Sequence, residues 1–225
     1  MGITLKTLRL SSQRFEYFAM ARRTKEAAQE TRTHLLDTAE IVFREKGVTR
    51  TSLSDIASAA GVTRGAIYWH FENKADLFLA MCDRATLPLE AMFGRVADPD
   101  LTDPLSRLRE GCVEVLCQAE QDQRCRRVFE ILNFKCEFVD DLAPTMLRRK
   151  ECRQGAKAII EQNLKLAIEC GQIAPATDIR RAAIGLFSYV DGLIVNWSME
   201  PDSYSLAQQA GALIDIYLDG LRKQR

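Results

Sequence analysis

The segment from Arg64 to His70 carries side chains that suit recognition of a DNA duplex. Arg64 offers a guanidinium, the usual partner of guanine, and a helix of this kind places its N-terminal half against base edges in the major groove. Gly65 lets the helix backbone come close to DNA because it has no side chain. Aromatic, imidazole and ammonium groups nearby are placed to meet phosphates. The predicted DNA-binding residues are Thr51, Ser52, Thr63, Arg64, Gly65, Tyr68, Trp69, His70 and Lys74.

Two short helices around a tight turn are predicted to position these side chains. Thr51 or Ser52 can cap the first helix, and Asp55 is spaced to complete a capping box. Gly61 ends that helix, since glycine adopts the left-handed conformation at little steric cost, and Thr63 begins the second. These lengths predict a helix-turn-helix, although a helical hairpin with an incidental polar face has the same pattern.

The string GVTRGAIYWHFENKADLF resembles the DNA-binding signature of the TetR/AcrR family of bacterial transcriptional repressors. Three further segments resemble the subgroup that represses multidrug efflux pump operons (AcrR/TtgR-like). They are MARRTKEAAQETR at Met20–Arg32, RRVFEILNFKCEF at Arg126–Phe138 and GLFSYVDGLIVNW at Gly185–Trp197. The resemblance covers nearly the whole chain from Met20 onward.

Hydrophobic periodicity predicts an all-α protein of about nine helices, because no stretch alternates convincingly at period two. The expected organisation is an N-terminal three-helix helix-turn-helix domain, residues 20–72, and a larger C-terminal helical domain for ligand binding and dimerisation, residues 73–225. Residues 1–19 are expected to be disordered or to extend the first helix, with a basic arm on the DNA as an alternative. Besides the helix-turn-helix, the predicted helices cover residues 25–46, 73–96, 104–119, 122–138, 143–171, 178–199 and 205–222.

Composition narrows the function classes without identifying one. The 225 residues carry 31 basic and 31 acidic side chains, so the chain is not a bulk polycation. No apolar run reaches the roughly 20 residues of a membrane helix, and no secretory signal is evident, which predicts a cytoplasmic protein without a membrane partner. There is no Gly-rich phosphate loop, no metal-ligand spacing and no nucleophile with a plausible histidine partner. We therefore expect neither an enzyme nor a cofactor or metal.

Seven cysteines occur without a CxxC pair, which favours free and mostly buried thiols. A redox-sensing role is the alternative. Cys125 lies beside Arg124, Arg126 and Arg127, whose positive charges could lower the pKa of its thiol. On that interpretation the chain is an oxidant-responsive repressor on the same fold.

The C-terminal half contains candidates for a small-molecule site. Asp191 lies among apolar residues on a helix that otherwise suits burial, so its carboxylate needs either a cationic ligand or a structural partner such as a neighbouring arginine. Phe129, Asn133, Cys136 and Phe187 provide a mixed aromatic and polar lining at helical spacing. Such a lining suits a ligand pocket, and plain core packing is the alternative.

The family resemblance implies a ligand-responsive mechanism. Two subunits pair through the last two helices, and the dimer binds a palindromic double-stranded DNA operator. A small hydrophobic inducer, such as a drug, dye or aromatic compound, enters the C-terminal domain and moves the fourth helix, in which Pro88 is expected to form a kink. The implied pocket residues are Thr86, Leu89, Val115, Phe129, Asn133, Ala156, Phe187, Val190 and Asp191.

Overall fold

The computed structural model describes residues 4–95, 103–137 and 142–222, and the side chains of residues 25–87, 103–137, 142 and 145–222. Over these ranges the regular structure is nine helices, with one isolated antiparallel bridge between Ile173 and Arg222. This confirms the all-α class. The helices are α1 (Thr4–Lys46), α2 (Leu53–Ala59), α3 (Arg64–His70), α4 (Lys74–Arg95), α5 (Pro104–Gln121), α6 (Gln123–Phe134), α7 (Ala143–Glu169), α8 (Ile179–Met199) and α9 (Leu206–Asp219).

Two helices differ in extent from the sequence expectation. Helix α1 begins at Thr4 and includes residues 4–19, for which disorder and a helical extension were both open. Helix α6 ends at Phe134 rather than Phe138, because Lys135 leaves the helical conformation with φ of −125°. The Lys135 carbonyl oxygen then accepts a hydrogen bond from Val48 N at 2.9 Å. Pro88 lies within α4, and its side chain is outside the described ranges, so the kink stays a prediction.

Local sequence signals determine the ends of α2 and α3 as predicted. Ser52 is the N-cap of α2, where its Oγ accepts from Asp55 N at 3.2 Å and the Asp55 carboxylate accepts from Ser52 N at 2.8 Å. Gly61 has φ of +67°, which makes the turn sterically inexpensive. Thr63 is the N-cap of α3, and its hydroxyl accepts from Ala66 N at 3.2 Å.

One continuous apolar core joins the helix-turn-helix to the rest of the chain. Helix α1 packs against α2, α4 and α6, and α4 packs against α1, α5, α6 and α7. Phe43 of α1 and Phe78 of α4 meet edge to face, with ring centroids 5.7 Å apart. Helix α4 is therefore in contact with both the DNA-binding end and the C-terminal bundle.

Among the described residues, one helix, α8, is long and apolar enough to cross a membrane by length and composition alone. Its 21 residues include a window with a mean hydropathy of 1.2. In the structure, however, Ala183, Leu186, Ile194 and Trp197 of this helix are buried in the protein core. One such helix is weak evidence for a membrane segment, because a core helix of a folded bundle satisfies the same two criteria.

Candidate DNA-binding surface and ligand cavity

Helix α3 is held by its apolar side, which leaves its polar side outward. Ile67 is fully buried and Phe71, the C-cap residue, is 1% exposed. Both belong to the common core, so the helix has one fixed orientation. The guanidinium of Arg32, from α1, lies 5.0 Å from the centroid of the Phe71 ring.

The outward side of α3 carries most of the predicted DNA-binding residues. Tyr68 is 46% exposed and Trp69 is 73% exposed, which is unusual for large aromatic side chains. The Arg64 guanidinium lies 5.5 Å from the Tyr68 ring centroid. Partial burial, and then the positive charge of Arg32, lower the pKa of His70. The exposed members of the predicted set, with Tyr68, are Ser52, Thr63, Arg64, Gly65 and Trp69.

Two predicted DNA-binding residues make hydrogen bonds within the chain. Thr51 is 2% exposed, and its hydroxyl donates to the Gly47 carbonyl oxygen at 2.7 Å. In the DNA-free chain this hydroxyl is thus engaged within the protein, and a DNA contact by Thr51 stays a prediction. Lys74 Nζ donates to the carbonyl oxygens of Val48 and Thr49 at 3.1 and 3.2 Å. The ammonium therefore ties the loop after α1 to the start of α4, and a phosphate contact by Lys74 stays a prediction.

A cavity of about 470 Å³ lies among α4, α5, α6, α7 and α8. Its wall is mainly aliphatic and aromatic with a few charged groups, which is the usual composition of a small-molecule site. Leu89, one of the nine implied pocket residues, has its side chain outside the described ranges. The structure brings the other eight together in the cavity wall: Thr86, Val115, Phe129, Asn133, Ala156, Phe187, Val190 and Asp191.

The carboxylate of Asp191 has an arginine as its partner. Arg153 of α7 binds it through two hydrogen bonds, Nη1 to Oδ1 at 2.9 Å and Nη2 to Oδ2 at 3.2 Å. The Arg153 guanidinium also lies 4.7 Å from the centroid of the Phe187 ring. The two charged side chains are 38% and 40% exposed, so water reaches the pair. Of the two roles that the sequence left open for Asp191, the structural partner is the one present.

Arginines of α7 contribute a charged part of the cavity wall that sequence reasoning did not identify. Arg148 Nε pairs with Asp83 Oδ1 of α4 at 3.1 Å. Arg149 donates to the Leu132 carbonyl oxygen and to Asn133 Oδ1, each at 3.0 Å. Burial, and then the charge of Arg153, lower the pKa of Arg149. The four-residue spacing of Arg149 and Arg153 could have indicated this charged wall, because it places both side chains on one face of a helix.

A second ionic cluster, the Glu40 junction, joins α1 to α4 and α6. We define it as Glu40, Arg84, Arg124 and Arg127. The Glu40 side chain is fully buried, and its Oε1 accepts a hydrogen bond from Arg84. Its Oε2 is bound by Arg127, with Nε at 2.9 Å and Nη2 at 2.8 Å. Arg124 Nε is 3.6 Å from Glu40 Oε1. Arg84 also pairs with Asp37 at 2.8 Å, so both α4 and α6 are fastened to α1 by charge.

Five thiols have a raised pKa, which disfavours the thiolate that a redox sensor needs: those of Cys82, Cys112, Cys117, Cys125 and Cys136. Burial raises the pKa of Cys125 to about 11, helped by the negative charge of Asp122 and opposed by Arg124. The prediction that neighbouring arginines lower this pKa was therefore wrong, because burial outweighs them. Burial also raises the pKa of Cys112 to about 12 and that of Cys136 to about 11. Among the described side chains, no group of three or more His, Cys, Asp or Glu could hold a metal ion.

Two family models match the chain. Residues 35–81, which include α2 and α3, match bacterial regulatory proteins of the tetR family. Residues 103–223, which include α5 to α9, match the C-terminal region of MAATS-type transcriptional repressors. The exposed helix and most of the cavity wall thus lie within the two matched regions.

Individual relatives agree with these matches. The regulator TtgR of Pseudomonas putida is 42% identical over 207 residues, covering 90% of this chain and 97% of TtgR. AcrR of Shigella flexneri is 40% identical over 200 residues, covering 89% and 93%. The crystal structure of NalD, the secondary repressor of the MexAB-OprM multidrug efflux pump in Pseudomonas aeruginosa, has 35% identity and a TM-score of 0.80, covering 89% of this chain and 100% of NalD.

A complex of SmeT with triclosan has 30% identity and a TM-score of 0.77, covering 87% of this chain and 93% of SmeT. SmeT is the repressor of the SmeDEF multidrug efflux pump of Stenotrophomonas maltophilia. The chain therefore belongs to the TetR family of bacterial transcriptional regulators, and its relatives include repressors of multidrug efflux pumps.

Proposed function

We propose that this transcriptional repressor silences a multidrug efflux pump operon and leaves its operator when a small, mostly apolar molecule enters the cavity. The observation that carries the proposal is that two walls of the cavity of about 470 Å³, α4 and α6, both pack against α1. Helix α1 in turn packs against α2, which holds the outward α3. Residues 20–72 then act as the DNA-binding domain and residues 73–225 as the ligand-binding and dimerisation domain. The protein acts in the bacterial cytoplasm, on nucleoid DNA.

Dimerisation through α8 and α9 would supply the symmetry that a palindromic operator needs. Ile184 and Met199 of α8 are 47% and 61% exposed, and Ile216 of α9 is 69% exposed. Apolar side chains left in water on neighbouring helices favour pairing with a second copy. Each α3 of the dimer then enters one major groove, and the groove centres are about 34 Å apart or a multiple of that spacing.

Ligand binding is proposed to act on DNA binding through the Glu40 junction. Asp83 and Thr86 of α4 line the cavity, and Arg84 lies between them in sequence with its guanidinium on Glu40. Phe129 of α6 also lines the cavity, two residues after Arg127 of the junction. A ligand that repositions α4 and α6 thus repositions α1, against which α2 packs. Coupling of about 1–3 kcal/mol is typical of such linked sites.

Operator affinity of an Arg64→Ala variant tests the DNA-binding part. The measurement is fluorescence anisotropy of a labelled duplex from the region upstream of the chain's own gene. We expect Arg64→Ala to lose about 1–3 kcal/mol of binding free energy and to relax base preference at one position of each half-site. Lys165→Ala is the control, because Lys165 is exposed on α7, outside the two helices proposed for dimerisation, and does not line the cavity. Equal affinities of the two variants would disprove the assignment of α3 to the groove.

A further inference from the structure

Charge is unevenly distributed around the cavity. Arg149, Arg153 and Lys157 lie at four-residue spacing on α7, so they form one row along that helix. Arg149 and Arg153 line the cavity, and Lys157 Nζ lies 5.8 Å from the centroid of the Phe187 ring in its wall. Asp191 is the carboxylate that this row meets, through Arg153. The α7 row therefore brings more positive than negative charge to this side of the cavity.

A cationic ligand would have to compete with arginines that already hold the carboxylates. Asp191 is bound by two N–H groups of Arg153, and Asp83 is bound by Arg148 at 3.1 Å. The remaining lining carboxylate, Glu151, is exposed. An ammonium group drawn to Asp191 would lie beside the guanidinium of Arg153 and be repelled by its charge, so this carboxylate offers a cation little net attraction. The wall is thus poorly suited to a positively charged molecule.

A negatively charged group on a ligand, in contrast, would find unused hydrogen-bond donors in the cavity wall. A guanidinium has five N–H donors, and within the described part of the chain two of those on Arg153 are directed to Asp191, which leaves three for another acceptor. The Phe187 ring 4.7 Å away supports the guanidinium, so it is oriented before any ligand arrives. The charge of Arg153 helps to lower the pKa of Arg149, which indicates mutual repulsion that a nearby anion would relieve.

From this geometry we infer that the cavity selects flat aromatic acids, with the carboxylate held by the free N–H donors of Arg153 and the ring in the apolar wall beside Phe187. The inference depends on the proposed function, because it assigns the chemical class of molecule that enters the same cavity. Lys157 adds positive charge from the next turn of α7, and Asp191 opposes the anion. Arg153 is thus the residue that determines specificity for charge.

The test uses two probes with the same ring and opposite charge, 2-naphthoate and 2-naphthylmethylammonium, and the neutral 2-naphthylmethanol. Dissociation constants are measured by isothermal titration calorimetry on the full chain. We expect wild type to bind 2-naphthoate at least tenfold more tightly than the ammonium probe. Arg153→Gln should abolish that preference. Asp191→Asn should tighten 2-naphthoate binding several-fold, because a competing carboxylate is removed. Lys165→Gln, at an exposed position that does not line the cavity, should change nothing.

The outcomes separate the two proposals. If wild type binds none of the three probes, the ligand cavity of the proposed function fails. Two other results would overturn the assignment of aromatic acids and leave the proposed function standing. One is that the neutral probe binds but Arg153→Gln keeps the wild-type charge preference. The other is that the ammonium probe binds more tightly than 2-naphthoate. Circular dichroism of each variant verifies folding, and the opposite expected effects of Arg153→Gln and Asp191→Asn exclude a general loss of structure as the explanation.

Discussion

Two of the carboxylates that arginines hold, Glu40 and Asp191, have opposite surroundings. Glu40 has a fully buried side chain and contacts with guanidiniums from two helices, α4 and α6. Asp191 is 40% exposed and bonds to one guanidinium, that of Arg153. Glu40 connects three helices at the DNA-binding end, whereas Asp191 lies in the wall of the cavity.

The difference separates a fixed contact from an exchangeable one. Removing one member of a buried ion pair leaves charge without compensation in a poorly solvated place, which is costly. A half-exposed pair is screened by water and contributes little to stability, so a ligand can rearrange it at small cost. We infer that the Glu40 junction transmits movement as a rigid unit, while the Arg153–Asp191 pair adjusts to what enters the cavity.

The largest expected effect is on folding stability, from Glu40→Gln. Arg84 and Arg127 are 17% and 27% exposed and would face each other without their shared carboxylate. Breaking a buried ion pair lowers the free energy of unfolding by about 3–5 kcal/mol. We expect a loss near the lower end of that range, because the two arginines are partly exposed to water. Urea unfolding at one fixed protein concentration measures it. Glu130→Gln is the control, because the Arg44–Glu130 pair is 51% and 25% exposed. Equal destabilisation by the two substitutions would contradict the special role of Glu40.

The next effect concerns communication between the cavity and the operator. In Glu40→Gln we expect 2-naphthoate to bind the DNA-free protein as in wild type, because Glu40 does not line the cavity. Its effect on operator affinity should fall by about 1 kcal/mol, out of the roughly 1–3 kcal/mol typical of allosteric coupling. The measurement is the ratio of operator dissociation constants with and without the ligand. A ratio unchanged from wild type would mean that the signal bypasses α1.

Asp191→Asn should have a smaller effect on stability. Exposed ion pairs contribute about 0–1 kcal/mol, and the Asn side chain retains an oxygen that can accept from Arg153. We expect a loss below about 1 kcal/mol in the same urea experiment. A loss comparable to that of Glu40→Gln would show that the two carboxylates are equivalent, against the distinction drawn from their exposure.

The smallest effect should appear in the response to salt. Raising the ionic strength from 0.1 M to 1 M shortens the Debye length from about 10 Å to about 3 Å. Double-mutant cycles are measured for Arg153 with Asp191 and for Arg127 with Glu40. We expect the first coupling energy to fall by about 0.3–0.5 kcal/mol and the buried one to stay constant within error. Parallel salt responses would argue that solvent reaches both pairs equally.

The sequence was sufficient for the helix-turn-helix because its signals are local. The capping box of Ser52 and Asp55, the turn at Gly61 and the cap at Thr63 each involve residues within a few positions of one another. The burial of Thr51 could not be predicted in this way, since a threonine beside a capping serine carries no local sign of burial.

The ionic contacts could not be predicted in the same way. Glu40 meets Arg84 and Arg127 across 44 and 87 residues of sequence, and Asp191 meets Arg153 across 38. Periodicity assigns such charged side chains to the solvent side of a helix, and only the packing of several helices turns them inward. The aromatic and aliphatic wall of the cavity followed from helical spacing and family resemblance, whereas its arginines did not.

Footprinting of the purified protein on DNA upstream of its own gene tests the central claim most directly. The claim is that an outward α3 reads a palindromic operator and that the cavity controls it. We predict two protected half-sites whose centres lie about one helical turn or a multiple apart, and protection that is lost when 2-naphthoate is added. Protection that is absent at every tested fragment, or that persists unchanged at saturating ligand, would contradict the account.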